Sequence, residues 1–280
     1  MLITGSSQEV REQVELAKSS GKAVGFVPTM GALHKGHISL VEQSRKECDY
    51  TVVSVFVNPT QFNDKEDYKR YPRVPEEDSK MLEEAGCNLV FMPTEKEIYP
   101  EPDTRIFDFT PLDKVMEGAF RPGHFNGVAQ VVSRLFDIVK PDKAFFGQKD
   151  FQQLAIIRQL ARQLSLPIEI KGCEIVREAD GLAMSSRNML LNPQQRQAVP
   201  LIYQTLQKAK TLVNELAPEQ LKAYIAEKIN VNSELKTEYA EIVDADNLQP
   251  VSVWTGASSI QLCVAVLVGR IRLIDNINLI

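Results

Sequence analysis

The sequence predicts an α/β fold in which a parallel sheet, covered by helices, is followed by a smaller α+β domain. Three observations carry the prediction. Short apolar runs alternate with helical stretches through roughly the first 175 residues, the pattern of strand–helix–strand units. The segments that close several of these runs are rich in glycine, histidine and side-chain amides, as expected where a parallel sheet binds ligands. After Arg187 the alternation stops, and helices are followed by a group of strands.

The elements follow in order. Ala23–Val27 is a strand candidate, and a helix runs from about Gly36 to Cys48. Thr51–Val57 is a β-branched run and the clearest strand. Glu76–Ala85 reads as a helix closed by Gly86, with the strand Leu89–Met92 behind it. Gly127–Val139 is a helix stopped by Pro141, Ala144–Phe146 a short strand, Phe151–Leu164 an amphipathic helix and Ile168–Cys173 a strand. In the last third, Gln194–Leu216 and Glu219–Asn230 read as helices, and Tyr239–Val243, Leu262–Val268 and Arg270–Ile274 as strands. Charge interrupts the apolar pattern between Arg177 and Asp180, so the domains are placed at 1–177 and 178–280.

Composition narrows the function classes. With 280 residues, 44% hydrophobic and 25% charged, the chain can bury two cores of moderate size. A formal charge of −5 argues against nucleic acid as a partner, because backbone phosphates call for a basic surface. A small anion such as ATP remains compatible, since donors at one site matter more than the total. The start of the chain turns polar at once, unlike a signal peptide, and Leu262–Val268 is too short to span a bilayer. Four scattered cysteines fit reduced thiols. The expectation is a cytoplasmic protein without membrane contact.

Four clusters carry candidate chemistry. The tetrad His34-Lys35-Gly36-His37 follows a strand and the turn Pro28-Thr29-Met30-Gly31, and it opens a helix. Helix openings expose backbone N–H groups to anions, and histidines three apart share a helix face. Two ordinary histidines near a turn would give the same four letters. The loop Gly181–Asn188 offers Ser185, Ser186 and Arg187 to a polyphosphate, although a capped polar loop reads the same in isolation. Gly147-Gln148-Lys149-Asp150 follows a strand, with Gln152 and Gln153 beyond it. Lys149 suits phosphate oxygens and Asp150 suits ribose hydroxyls, or else Asp150 simply caps a helix. Asn58 and Gln61 bring neutral amides to the end of the strongest strand, as a hydroxyl-bearing acid requires, or they form an Asn-Pro turn. The segment Arg121–Gly127 reads equally as a ligand-facing loop and a structural corner.

Together these motifs resemble the pantothenate synthetase family over essentially the whole chain. The resemblance rests on Pro28–His37, Phe56–Phe62, Tyr71–Arg73, Arg121–Phe125, Phe146–Gln153 and Met184–Arg187. It implies a Rossmann-like N-terminal domain, a hinged C-terminal lid, a homodimer held by the N-terminal domains, and ATP and Mg²⁺ as cofactors. The implied reaction activates (R)-pantoate as pantoyl adenylate, releases pyrophosphate, and lets β-alanine displace AMP to give pantothenate. By matching positions, Met30, Gly31, Ala32, Leu33, His34, Lys35, Gly36 and His37 meet ATP. So do Gly147, Gln148, Lys149, Asp150, Val176, Met184, Ser185, Ser186 and Arg187. His34, His37, Lys149 and Arg187 take the catalytic part, His37 as the usual proton donor. Gln61 and Gln153 take pantoate, with Gln61 also near β-alanine; Asn58 joins them from its residue chemistry. Gln148 stands where the family commonly has glutamate. Glu77 and Asp78 are the nearest acids that match a magnesium site. Rival readings are another nucleotidyltransferase with a phosphorylated acceptor, a tRNA-charging enzyme, and a non-catalytic nucleotide binder. The neutral amides, the acidic chain and the co-occurrence of both histidines with Lys149 and Arg187 weigh against these in turn.

Overall fold

The computed structural model describes residues 1–63 and 65–280. The chain divides into two compact units: Met1–Phe109, Arg121–Gln148 and Ile156–Glu174 form the first, and Thr110–Phe120, Lys149–Ala155 and Ile175–Ile280 the second.

The first unit is built on a six-stranded sheet of β1 (Leu2–Thr4), β2 (Val24–Thr29), β3 (Tyr50–Val55), β4 (Leu89–Phe91), β5 (Lys143–Gly147) and β6 (Glu169–Cys173). The spatial order is β1-β4-β3-β2-β5-β6, and every pairing is parallel. Phe26, Val52, Val53, Val90 and Phe145 are fully buried, so the central strands read as unbroken apolar runs. The helices here are α1 (Ser7–Ser19), α2 (Lys35–Glu47), α3 (Lys65–Arg70), α4 (Pro75–Glu84) and α5 (Glu95–Ile98). Helix α2 lies hard against β2: a Cβ on Gly25 would fall 2.1 Å from Ser44 Oγ.

The predicted strands of this unit are all present, with ends shifted by a residue or two. Strand β1 is an addition to them, because three residues are too few to display a period.

The second unit contributes α6 (Met116–Phe120). Helix α7 (His124–Val139) belongs to the first unit and starts three residues before its expected position, because Gly123 turns the chain at φ 80°. Helix α8 (Phe151–Gln163) follows β5. The predicted helix Gln194–Leu216 is in fact two, α9 (Pro193–Ala198) and α10 (Pro200–Thr211). Pro200 has no N–H to continue the first helix and instead sits at the start of the next. Helix α11 (Pro218–Asn230) precedes an antiparallel sheet of β7 (Leu235–Asp244), β8 (Ile260–Val268) and β9 (Ile271–Asn278), with β8 central. Leu206, Leu221, Ile225, Leu262 and Val264 form the middle of this core, each fully buried. Among the described residues no helix is long and apolar enough to cross a membrane.

Candidate active site

The order of strands fixes where a ligand belongs in the first unit. From β2 the chain steps outward to β3 and β4, and later returns on the other side of β2 as β5 and β6. Such a reversal leaves a crevice at the carboxyl ends of the two strands that flank it. The segments leaving β2 and β5 there are Met30–His37 and Gly147–Gln148. A Cβ at Gly147 would meet no described atom within 4 Å, so the backbone is open to close approach.

The turn after β2 is held by its own backbone and one carboxylate. Gly31 (φ 81°) and Ala32 (φ 50°) both adopt the left-handed conformation. Asp78, at the start of α4 and 1% exposed, accepts from Ala32 N at 3.0 Å and Leu33 N at 2.7 Å. Burial pushes its carboxyl up, against the pull of those two amides. His34 is the N-cap of α2: its Nδ1 accepts from Gly36 N at 3.1 Å, while His37 Nδ1 accepts from His34 N at 3.3 Å. This is a capping box made of two imidazoles. The rings lie 4.1 Å apart, both half-buried. A neutral ring that accepts at Nδ1 carries its proton at Nε2, so the cap fixes both tautomers as Nε2 donors. Lys35 is exposed.

Gln61 ends a 3₁₀ turn (Pro59–Gln61) after β3 and is 9% exposed. Its Nε2 lies 3.0 Å from Met30 Sδ, and its Oε1 accepts from Asn58 Nδ2 at 3.1 Å. Asn58 is 1% exposed, donates as well to Gly127 O at 3.2 Å, and accepts from the Tyr99 hydroxyl at 2.9 Å. Its amide therefore holds Gln61 in place. The backbone of Gln61 is held too, by His124 Nδ1 at 2.8 Å from Gln61 O. A Cβ on Gly127 would fall 2.4 Å from Thr60 O, which explains the glycine. Within Arg121–Gly127, His124 and Gly127 thus buttress the turn that carries Gln61. Sequence reasoning did not single out Tyr99, and it met Asp78 only as a possible metal acid.

In the second unit, Lys149 and Asp150 belong to the 3₁₀ turn Gln148–Asp150, with Asp150 exposed and Gln153 half-buried on the first turn of α8. Gln152 faces inward, donating to Leu112 O and Val115 O at 2.8 Å and accepting from Glu117 N at 2.9 Å. Glu117 in turn receives both terminal nitrogens of Arg272 at 2.7 Å and the Tyr239 hydroxyl at 2.8 Å. The other loop folds back on itself: Met184 N donates to Val176 O at 3.0 Å, and Arg177 bridges Ala183. Ser185 caps the 3₁₀ turn Ser186–Leu190 by accepting from Arg187 N at 3.2 Å. Ser186 is buried, while Met184, Ser185 and Arg187 are half-buried. Arg177 reaches Asp275 with both terminal nitrogens, at 2.7 and 2.9 Å, and lies 3.7 Å above the ring of Tyr203.

The sequence-predicted residues thus fall into two sets. Met30–His37, Asn58, Gln61, Gly147 and Gln148 belong to the first unit; Lys149, Asp150, Gln153, Val176 and Met184–Arg187 belong to the second. Among the described residues no three His, Cys, Asp or Glu side chains gather as a metal cage, and both Asp78 oxygens are engaged by amides.

The family model for pantoate–β-alanine ligase matches residues 2–278. The pantothenate synthetase of Porphyromonas gingivalis strain W83 is 51% identical over 99% of both chains. The crystal structure of pantothenate synthetase from Thermus thermophilus superposes with a TM-score of 0.92 at 42% identity, covering 99% of each chain. A pantoate–β-alanine ligase from Francisella tularensis, complexed with β-γ ATP and β-alanine, gives 0.82 at 34% identity, over 99% of this chain and 97% of that one.

Proposed function

The chain belongs to the pantoate–β-alanine ligase family, and on that premise we propose how its residues carry the reaction. The enzyme condenses pantoate with β-alanine in an ATP-dependent ligation. In the proposed course, a pantoate carboxylate oxygen attacks the α-phosphorus of ATP, and the bond to the bridging oxygen breaks to release pyrophosphate. The β-alanine nitrogen then attacks the acyl carbon of pantoyl adenylate, AMP leaves, and the amine loses a proton.

One observation carries the assignment of roles: the reciprocal imidazole cap at His34 and His37. Two neutral rings with Nε2 donors, at the positive end of a 13-residue helix, suit the non-bridging oxygens of a phosphate. His37 acts as an electrostatic donor to charge building on the phosphates, which asks less of the ring than full proton transfer. Lys149, Ser185, Ser186 and Arg187 take the polyphosphate, and Asp150, Gly147, Val176 and Met184 the adenosine, as the family resemblance implies. Gln61 and Gln153 orient pantoate, and Asn58 acts through Gln61.

Magnesium, bound with the nucleotide, would neutralise phosphate charge. With both Asp78 oxygens taken by backbone amides, the triphosphate oxygens would supply the ion's ligands. A homodimer and a cytoplasmic location follow from the same resemblance, and sedimentation would distinguish one copy from two.

Pyrophosphate release is the direct test, measured with ATP and Mg²⁺, with and without pantoate and β-alanine. Release that depends on pantoate and turns over with β-alanine is expected, with His37→Ala slower by about 10²–10³. Undiminished release by His37→Ala would remove the histidine from its role.

A further inference from the structure

Strand β9 buries two adjacent polar residues between the apolar Ile274 and Ile277. Asp275 is 5% exposed and Asn276 3%. Apolar side chains of like size would generally pack there at no loss, so a buried ionic cluster invites a reason other than stability. Its contacts supply one. Asp275 accepts from both terminal nitrogens of Arg177 and, at 2.7 Å, from Asn276 N. Burial pushes the Asp275 carboxyl up, with Arg177, then the Asn276 amide and only then Lys149 pulling the other way. Arg177 passes the connection on, donating to Gly181 O at 3.1 Å, in the loop that carries Ser185 and Arg187. The Asn276 amide is oriented by Gln261, whose Nε2 donates to Asn276 Oδ1 at 2.7 Å. That leaves Asn276 Nδ2 facing Lys149 O, at 2.9 Å. One strand thereby reaches Lys149 directly and the Gly181–Arg187 loop through Arg177.

We infer that Asp275 and Asn276 are positioning residues for nucleotide binding, Asn276 by fixing the backbone of Lys149 and Asp275 by fixing Arg177 beneath the Gly181–Arg187 loop. The inference rests on the reading that Lys149 and Arg187 hold the phosphates of ATP. Neither Asp275 nor Asn276 needs to touch the substrate. Their effect is to fix the main chain from which the Lys149 side chain extends, where a displacement of an ångström is costly.

A double-mutant cycle on the full-length enzyme tests this, with steady-state kinetics in ATP. Asn276→Ala is expected to raise KM for ATP about tenfold while kcat falls less than about threefold. In a Lys149→Ala background the same change is expected to raise it less than about twofold, because the side chain it positions is gone. Asn278→Ala, an exposed residue of the same type on the same strand, is the control and keeps wild-type constants. Equal effects of Asn276→Ala in both backgrounds, or a loss of kcat and melting temperature with KM unchanged, would overturn the inference and leave the phosphate reading standing. A Lys149→Ala enzyme with normal ATP kinetics would overturn both. If the alanine variant does not fold, Asn276→Ser is run through the same cycle; its hydroxyl falls short of the Lys149 carbonyl, so the same outcomes apply.

Discussion

The two units hold their candidate ligand segments by different means. In the first, each imidazole of the His34–His37 turn caps a backbone amide of the tetrad, and one carboxylate from α4, Asp78, takes the two amides just before it. In the second, Lys149 and the Gly181–Arg187 loop are secured from strand β9, and 127 residues separate Lys149 from Asn276. Such a turn depends on its own cap and on one carboxylate from elsewhere in the unit. A loop held from a distant strand inherits whatever that strand does. The comparison implies that damage to the first turn should be local and severe, whereas damage around the second loop should spread through a network.

The largest effect is expected at Asp78. Asp78→Ala removes the carboxylate that accepts from Ala32 N and Leu33 N, at a cost of about 2–5 kcal/mol. Gly31 and Ala32 hold left-handed conformations that need such an anchor. Pyrophosphate release should fall at least as far as in His37→Ala, and thermal melting should drop with it. A variant that melts lower yet keeps full activity would show that the histidine cap alone fixes the turn, which would make the contrast between the units sharper still.

A middle-sized effect is expected at Gly127, where the first unit does rely on a longer-range support. Adding one methyl forces it against the Thr60 carbonyl, 2.4 Å from the built Cβ, for a cost of about 1–3 kcal/mol. The 3₁₀ turn that carries Gln61 must shift, so Gly127→Ala should raise KM for pantoate more than KM for ATP. Equal rises in both would mean that the Gln61 and His34 segments move as one body, and the first turn would then be part of a network after all.

The contrast also explains what could be read from the sequence. Thr51–Val57 announces a buried strand by composition alone, and the tetrad announces a helix start because capping is decided within four residues. Family resemblance supplies the reaction, which the pocket chemistry alone would not name. What was illegible lies far apart in sequence. Asp78 is 46 residues from Ala32 and looks like a metal acid, since a carboxylate near a phosphate motif suggests magnesium before it suggests a brace. Asp275 and Asn276 read as polar residues near the end of a strand, with nothing local to link them to Lys149. The break at Pro200 is visible in the letters, but the apolar period across it outweighs the proline.

The smallest effect is expected at the opposite end of α2 from the histidines. Glu47 ends that helix and meets Lys143 at 2.8 Å on β5 and Lys171 at 3.2 Å on β6. The bond from Lys143, then that from Gln43, then Lys171 hold its carboxyl down, from the usual 4.5 to about 2. A depressed acid stabilises the folded state fully above its unfolded value and loses that contribution as pH falls through the folded one. The window is therefore pH 4.5 down to about 2. Solvent reaches this cluster, so the contribution near neutral pH is held to less than about 1 kcal/mol. Glu47→Gln should lower the melting temperature slightly at pH 7, and the difference from wild type should shrink as pH falls through that window. Activity at neutral pH should be unchanged, because the cap at His34 is made by residues 34–37 and owes nothing to the far end of the helix. A marked loss of activity in Glu47→Gln would mean that α2 transmits strain along its length, and the first turn would no longer rest on its cap and the Asp78 brace alone.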